Sequence, residues 1–183
     1  MNVLALHGYH MSGRIMCSMS TPLLKRLDHK INLFTPDAPF LIKNPSASEI
    51  TKYFKPPYYQ WFNEIHNINI DELKKLNNID GIIGFSQGSN IATIIIPYIK
   101  PKFFISISGV NHDISNCIIN IPSFHIIGKN DPFYYKSINL TKKFKNPNIV
   151  YHKGGHHFPK DVNIYKDINR FINKIVTPYN ISN

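Results

Sequence analysis

Cysteine is nearly absent: Cys17 and Cys117 are the only two in 183 residues. Two thiols so far apart make neither a disulfide framework nor a zinc-ligand pattern. This excludes the small disulfide-stapled folds and fits a reducing, cytoplasmic setting. Long apolar runs are also missing. No stretch approaches the roughly 18–20 residues that a membrane-spanning helix needs. Met1–Leu6 is apolar but has no basic residues before it and is broken by His7-Gly8, so it reads as a strand rather than a signal peptide. Acidic residues are few, 11 against 21 Lys and Arg, giving a formal charge of +10. The cations come as scattered pairs (Lys25-Arg26, Lys74-Lys75, Lys142-Lys143) with no basic run and no nucleic-acid motif. That pattern reads as a solvated surface, and specific nucleic-acid binding is not expected. There is no internal repeat and no linker, so residues 1–183 read as one domain.

What is present is an alternation of strand and helix patterns. Asn2–Leu6, Ile31–Thr35, Ile82–Phe85, Phe103–Ser108, Phe124–Ile127 and Ile149–His152 are short apolar or alternating runs of strand type. Between and after them lie helical patterns. Arg14–Lys30 is expected to be kinked or split at Thr21-Pro22, read as an N-cap followed by Pro. Shorter helices are expected over Ile70–Leu76, Asn90–Tyr98 and Ser137–Lys145. Asp161–Val176 places Ile164, Ile168, Phe171, Ile172 and Ile175 on one face. The expectation is an α/β fold: a minimal, doubly wound, mostly parallel sheet of about six strands with helices on both faces and no large cap domain. Pro36–Gln60 is the least regular part. Its five prolines exclude helices or strands of any length, and its aromatics could wall a pocket or simply cover the sheet edge.

The chain is organised around Ile79–Tyr98. A strand runs into Gly84-Phe85-Ser86-Gln87-Gly88, a G-x-S-x-G turn, and a helix follows with Ile91, Ile94, Ile95 and Tyr98 at helical spacing. A bare G-x-S-x-G occurs by chance in about one chain in fifteen of this length. The strand before it and the helix after it make Ser86 a candidate nucleophile on a strained elbow. In a parallel sheet, functional side chains gather at the carboxyl ends of strands. Asp131 follows the fifth strand, and His156 or His157 follows the sixth. Ser, then Asp, then His is the α/β-hydrolase order. A serine hydroxyl needs a base to take its proton, His is that base, and a carboxylate holds the imidazole tautomer. His156 is favoured because it directly follows Gly154-Gly155. Asp37 and Asp113 compete with Asp131, while His112, His125 and His152 are expected to be structural or surface residues. Backbone N–H groups of Tyr9 and Gln87 are the expected oxyanion donors. Met11 and Trp61 are expected to line an apolar substrate pocket.

LALHGYHMSG, PDAP, Trp61-Phe62, DGIIGFSQGS, SISG, PSFHIIGKNDP and HKGGHHFPK, in that order, resemble the FSH family of serine hydrolases. The chain departs from the family at Met11-Ser12, where Gln-Asn is common. The resemblance implies an α/β-hydrolase fold and carboxylic-ester hydrolysis, with nucleophile, acid and base falling on Ser86, Asp131 and His156. The expected activity is cleavage of esters or thioesters with an apolar acyl or alkyl group, through an acyl-enzyme, with no cofactor or metal. The expected partner is a small-molecule substrate. The alternatives are a catalytically weak, hydrolase-like binding protein and a same-fold hydrolase of another carbonyl or peptide bond.

Overall fold

The computed structural model of the protein describes residues 1–62, 68–111 and 117–177. Its centre is a sheet of β1 (Asn2–Leu6), β2 (Asn32–Phe34), β5 (Gly81–Phe85), β6 (Phe103–Ile107), β7 (Ser123–Gly128) and β8 (Asn148–His152). These six strands are all parallel, in the order β2-β1-β5-β6-β7-β8. The central strands β5, β6 and β7 are buried along their whole length. A strand covered on both faces needs no polar alternation, which is why GIIGF and FFISI read as continuous runs.

Side-chain alternation divides the core into two layers. Val3, Ala5, Ile83, Phe85, Phe103 and Ile105 pack with Ile15 and Leu23 of α1 (Gly13–Leu24) and Ile164, Ile168 and Phe171 of α6 (Val162–Val176). Leu4, Leu6, Ile82 and Phe104 point the other way. They pack with Leu73 of α3 (Asp71–Lys74) and Ile91, Ala92 and Ile95 of α4 (Gln87–Ile99). Period-two alternation thus assigns each strand residue to one helical layer or the other. Helix α5 (Tyr134–Thr141) packs on β7.

Local chemistry corrects several boundaries. The first helix is one piece. Ser12 caps it by accepting from the Ile15 N–H, and Pro22 lies inside its last turn. Thr21 is no cap; its hydroxyl donates back to the Cys17 carbonyl. Residues 25–30, expected to be helical, lie beyond the helix. The third and fifth helices are shorter or shifted relative to Ile70–Leu76 and Ser137–Lys145. Tyr98, expected on the packed face of α4, is exposed beside Lys74. Pro36–Gln60 is less bare than expected. β3 (Phe40–Leu41) and β4 (Tyr59–Gln60) pair antiparallel as a separate ribbon. Between them α2 (Glu49–Tyr53) is started by a capping box of Ser48 and Thr51. Each of these elements is short, as the proline density requires. Among the described residues no helix is long and apolar enough to cross a membrane.

Candidate active site

The elbow forms where β5 stops and α4 starts. Ser86 holds φ 51°, ψ −118°, a strained conformation for a residue with a side chain. Its backbone is fixed on three sides: its N–H donates to the Ile107 carbonyl, and its carbonyl accepts from the Ser89 and Val110 N–H groups. The two motif glycines allow close approach. A Cβ on Gly84 would lie 2.5 Å from Ser89 Cα, and one on Gly88 would lie 2.1 Å from the Leu6 carbonyl oxygen. Helix α4 therefore starts directly at Gln87, three residues ahead of the expected Asn90, and points its N-terminus at the carboxyl edge of the sheet.

Three strand-end loops meet there. His156 Nε2 lies 2.8 Å from Ser86 Oγ, and His156 Nδ1 lies 2.8 Å from Asp131 Oδ2. The carboxylate fixes the tautomer: Nδ1–H donates to Asp131, leaving Nε2 to accept a hydrogen bond from the Ser86 hydroxyl. The Asp131 side chain is fully buried, and its Oδ1 accepts from the Phe133 N–H at 2.7 Å. Burial pushes its pKa up, but the hydrogen bonds from His156 and Phe133 outweigh that and hold it below the usual carboxylate value. Backbone contacts join the two loops: the Asn130 N–H donates to the Gly154 carbonyl, and the Asn130 side chain donates to the Lys153 carbonyl. The imidazole edge packs between Phe85 and Phe133.

The rivals are occupied elsewhere. His157 is bound into its own turn, with Nδ1 donating to the Phe158 carbonyl and Nε2 accepting from Gly155 N–H. Asp37 accepts from the Gly13 N–H at the start of α1. His125 is buried against Ser123, and burial lowers its pKa to about 3. His152 Nδ1 accepts from the Gly154 N–H. Asp113 and His112 lie outside the described residues.

Ser86 and His156 open onto a cavity of about 720 Å³, which Tyr9 and Gln87 also line. Its apolar wall includes Met19 of α1, Ile50 of α2, Phe54, Phe62, Val110 and Phe133. The irregular segment 36–60 thus contributes through α2 and its flanks. Met11 and Trp61 do not line the cavity. Met11 is fully buried because its carbonyl accepts from the Tyr59 N–H, which ties the loop to β4 and turns the side chain into the core. Trp61 is a strut in the opposite layer. Its backbone N–H donates to Gln87 Oε1 and its indole N–H to the His7 carbonyl. Its neighbour Phe62 takes the place on the wall.

Two histidines escaped sequence reasoning. His7 is buried, its Nδ1–H donating to the Gly8 carbonyl and its Nε2 accepting from the Ala38 N–H. Burial lowers its pKa to about 4, so it is a neutral clamp on the loop after β1. Its signal was the His-Gly pair closing the first strand. His10 lines the cavity at φ 58°, only 4% exposed, its ring stacked on Tyr9 at 4.2 Å. Nothing in its sequence neighbourhood marks it.

Comparison with known proteins finds relatives in sequence and in fold. The chain is 28% identical over 218 aligned positions to Esterase OVCA2 of Xenopus tropicalis, covering 97% of this chain and 94% of that one. It is 26% identical over 200 positions to Esterase AGAP003155 of Anopheles gambiae, covering 90% of this chain and 74% of that one. In fold it is similar to YahD solved with malic acid (TM-score 0.66, 11% identity, 95% of this chain and 93% of that chain). Esterase PE8 is also similar (TM-score 0.61, 18% identity, 96% and 92%). Residues 1–168 match the family model described as serine hydrolase (FSH1), and the chain belongs to that family, on an α/β-hydrolase fold.

Proposed function

We propose that the protein is a serine esterase or thioesterase acting on carboxylic esters whose acyl or alkyl group is apolar. The observation that carries this reading is the unbroken chain of hydrogen bonds from Ser86 through His156 to Asp131, each 2.8 Å long. Ser86 Oγ attacks the carbonyl carbon as its proton passes to His156 Nε2. Buried, ionised Asp131 stabilises the resulting imidazolium. The tetrahedral oxyanion is held by the backbone N–H groups of Tyr9 and Gln87. Gln87 suits this role as the first residue of α4, because N–H groups of the first turn precede any intrahelical acceptor. Collapse expels the alcohol or thiol, which takes the proton from His156. Water, deprotonated by His156, then attacks the acyl-enzyme and releases the acid.

The apolar cavity wall supports a hydrocarbon acyl group. The names of the relatives, esterases, support the reaction class. A cytoplasmic setting is part of the same reading, supported by Cys17 and Cys117, both free and exposed. A fluorophosphonate probe tests the chemistry. Wild type should label at one site. Ser86→Ala should abolish labelling, and His156→Ala should slow it by about 10³-fold or more. Labelling that persists in Ser86→Ala would reject this nucleophile, and a folded wild type that never labels would reject the enzyme reading. Parallel assays on p-nitrophenyl esters and acyl thioesters decide between the two substrate types.

A further inference from the structure

His10 stands apart from the other cavity residues. Most of the wall is hydrocarbon or aromatic, yet this imidazole is nearly buried and no described residue hydrogen-bonds to either of its nitrogens. The ring is not loose. Tyr9 stacks on one face and Tyr58 lies beside it at 6.3 Å. Among the described residues its nitrogens are not fully buried unpartnered atoms, so they face the cavity, where a ligand group can take the place of water as their partner. Neutral imidazole offers one donor and one acceptor on different edges of the ring, and a hydroxyl, being both donor and acceptor, can pair with whichever one faces the cavity.

Sheet order says which part of the substrate comes near. β5, carrying Ser86, lies between β1 and the β6-β7-β8 side. The His156 loop follows β8, so the leaving group that takes its proton departs on that side. The His10 loop follows β1, on the other side, and His10 is the next residue after Tyr9, about 3.8 Å away between Cα atoms. With Tyr9 as an oxyanion donor, as proposed above, this side of the cavity would take the acyl chain, with His10 near its carbonyl end.

We infer that His10 is a specificity residue: its imidazole hydrogen-bonds a hydroxyl carried near the carbonyl end of the acyl chain, so hydroxyacyl esters or thioesters are preferred to plain ones. The inference rests on the esterase reading above. The test compares kcat/KM for p-nitrophenyl octanoate and p-nitrophenyl 3-hydroxyoctanoate. Wild type should favour the hydroxy ester by about tenfold, the scale of one well-made hydrogen bond. His10→Phe, which keeps the ring on Tyr9 but has no polar atom, should bring the ratio close to one. Should that variant fail to fold, His10→Asn replaces it, since Asn tolerates the left-handed backbone and its short amide cannot reach as far. Fluorophosphonate labelling certifies that each variant is folded. Equal wild-type rates on both esters, or a ratio that the variant leaves unchanged, overturns the role of His10 alone. No hydrolysis of either ester together with no labelling overturns the esterase reading, and this inference with it.

Discussion

At the scale of single residues, burial controls charge. His7 and His125 are neutral in the fold because burial lowers their pKa values to about 4 and about 3. In the unfolded chain both return to the ordinary value near 6.5. As pH falls below 6.5 the unfolded chain takes up protons that the folded chain refuses, so stability falls with pH. From pH 7 to pH 5 each histidine should remove about 2 kcal/mol. Asp131 acts in the same direction but in a lower pH window. Its lowered pKa adds stability above the usual carboxylate range, and that is lost only when pH falls through the lowered value, below most of the histidine window. Urea unfolding at pH 7 and pH 5 for wild type and His7→Asn measures the effect, and a variant with the full wild-type pH dependence would place the loss elsewhere. Ser86, Asp131 and His156 were legible because each is a polar residue in a turn that ends a strand. Met11 and Trp61 were misread for a reason. In irregular backbone no period tells a side chain which way to point, and both are turned inward by hydrogen bonds of their own main chain. His10 was silent because a left-handed φ leaves no mark on a non-glycine residue.

At the scale of elements, the elbow is held by contact between backbones. Gly88 sits so close to β1 that an added Cβ would lie within 2.6 Å of both the Leu6 and His7 carbonyl oxygens. Neither is the end of a flexible side chain, so Gly88→Ala must push α4 off β1. Thermal denaturation should show a loss of more than about 2 kcal/mol. An unchanged Tm would mean that the elbow yields more readily than this geometry allows. Strands read well from sequence because the buried sheet demands continuous apolar runs. Helix ends read less well. Pro22 was taken as a break, yet a proline in the last turn removes a hydrogen bond that the fraying end scarcely uses. The start of α4 was placed late because Gln87-Gly88-Ser89 are indifferent helix formers, and the elbow imposes the helix there regardless.

At the scale of the whole molecule, strand–helix alternation sufficed to predict a parallel sheet with two helical layers, but not which strands are neighbours. The order β2-β1-β5-β6-β7-β8 sets β5 between the loop bearing Tyr9 and the loops bearing Asp131 and His156. The folding of 36–60 was not legible, because its ribbon pairs strands of two residues each and such strands carry no period. That segment nevertheless shapes the cavity through α2. Replacing Ile50 with Trp should fill that arm. Across p-nitrophenyl esters from acetate to laurate, the long-to-short ratio of kcat/KM should fall by about tenfold. A ratio that stays the same would put the acyl chain against another wall.

The bonds around Trp61 have a mechanical consequence. This one side chain and its amide reach both Gln87 and His7, and His7 in turn grips Gly8 and Ala38. The loops carrying the two proposed oxyanion donors are thereby braced by a single tryptophan, the only one in the chain. The bonds hold the Gln87 side chain and the His7 carbonyl, two residues before Tyr9, so the two loops are tied together when the protein folds rather than when substrate arrives. Part of the ordering entropy of the proposed hole is then lost in folding, and less is left to be lost at each turnover.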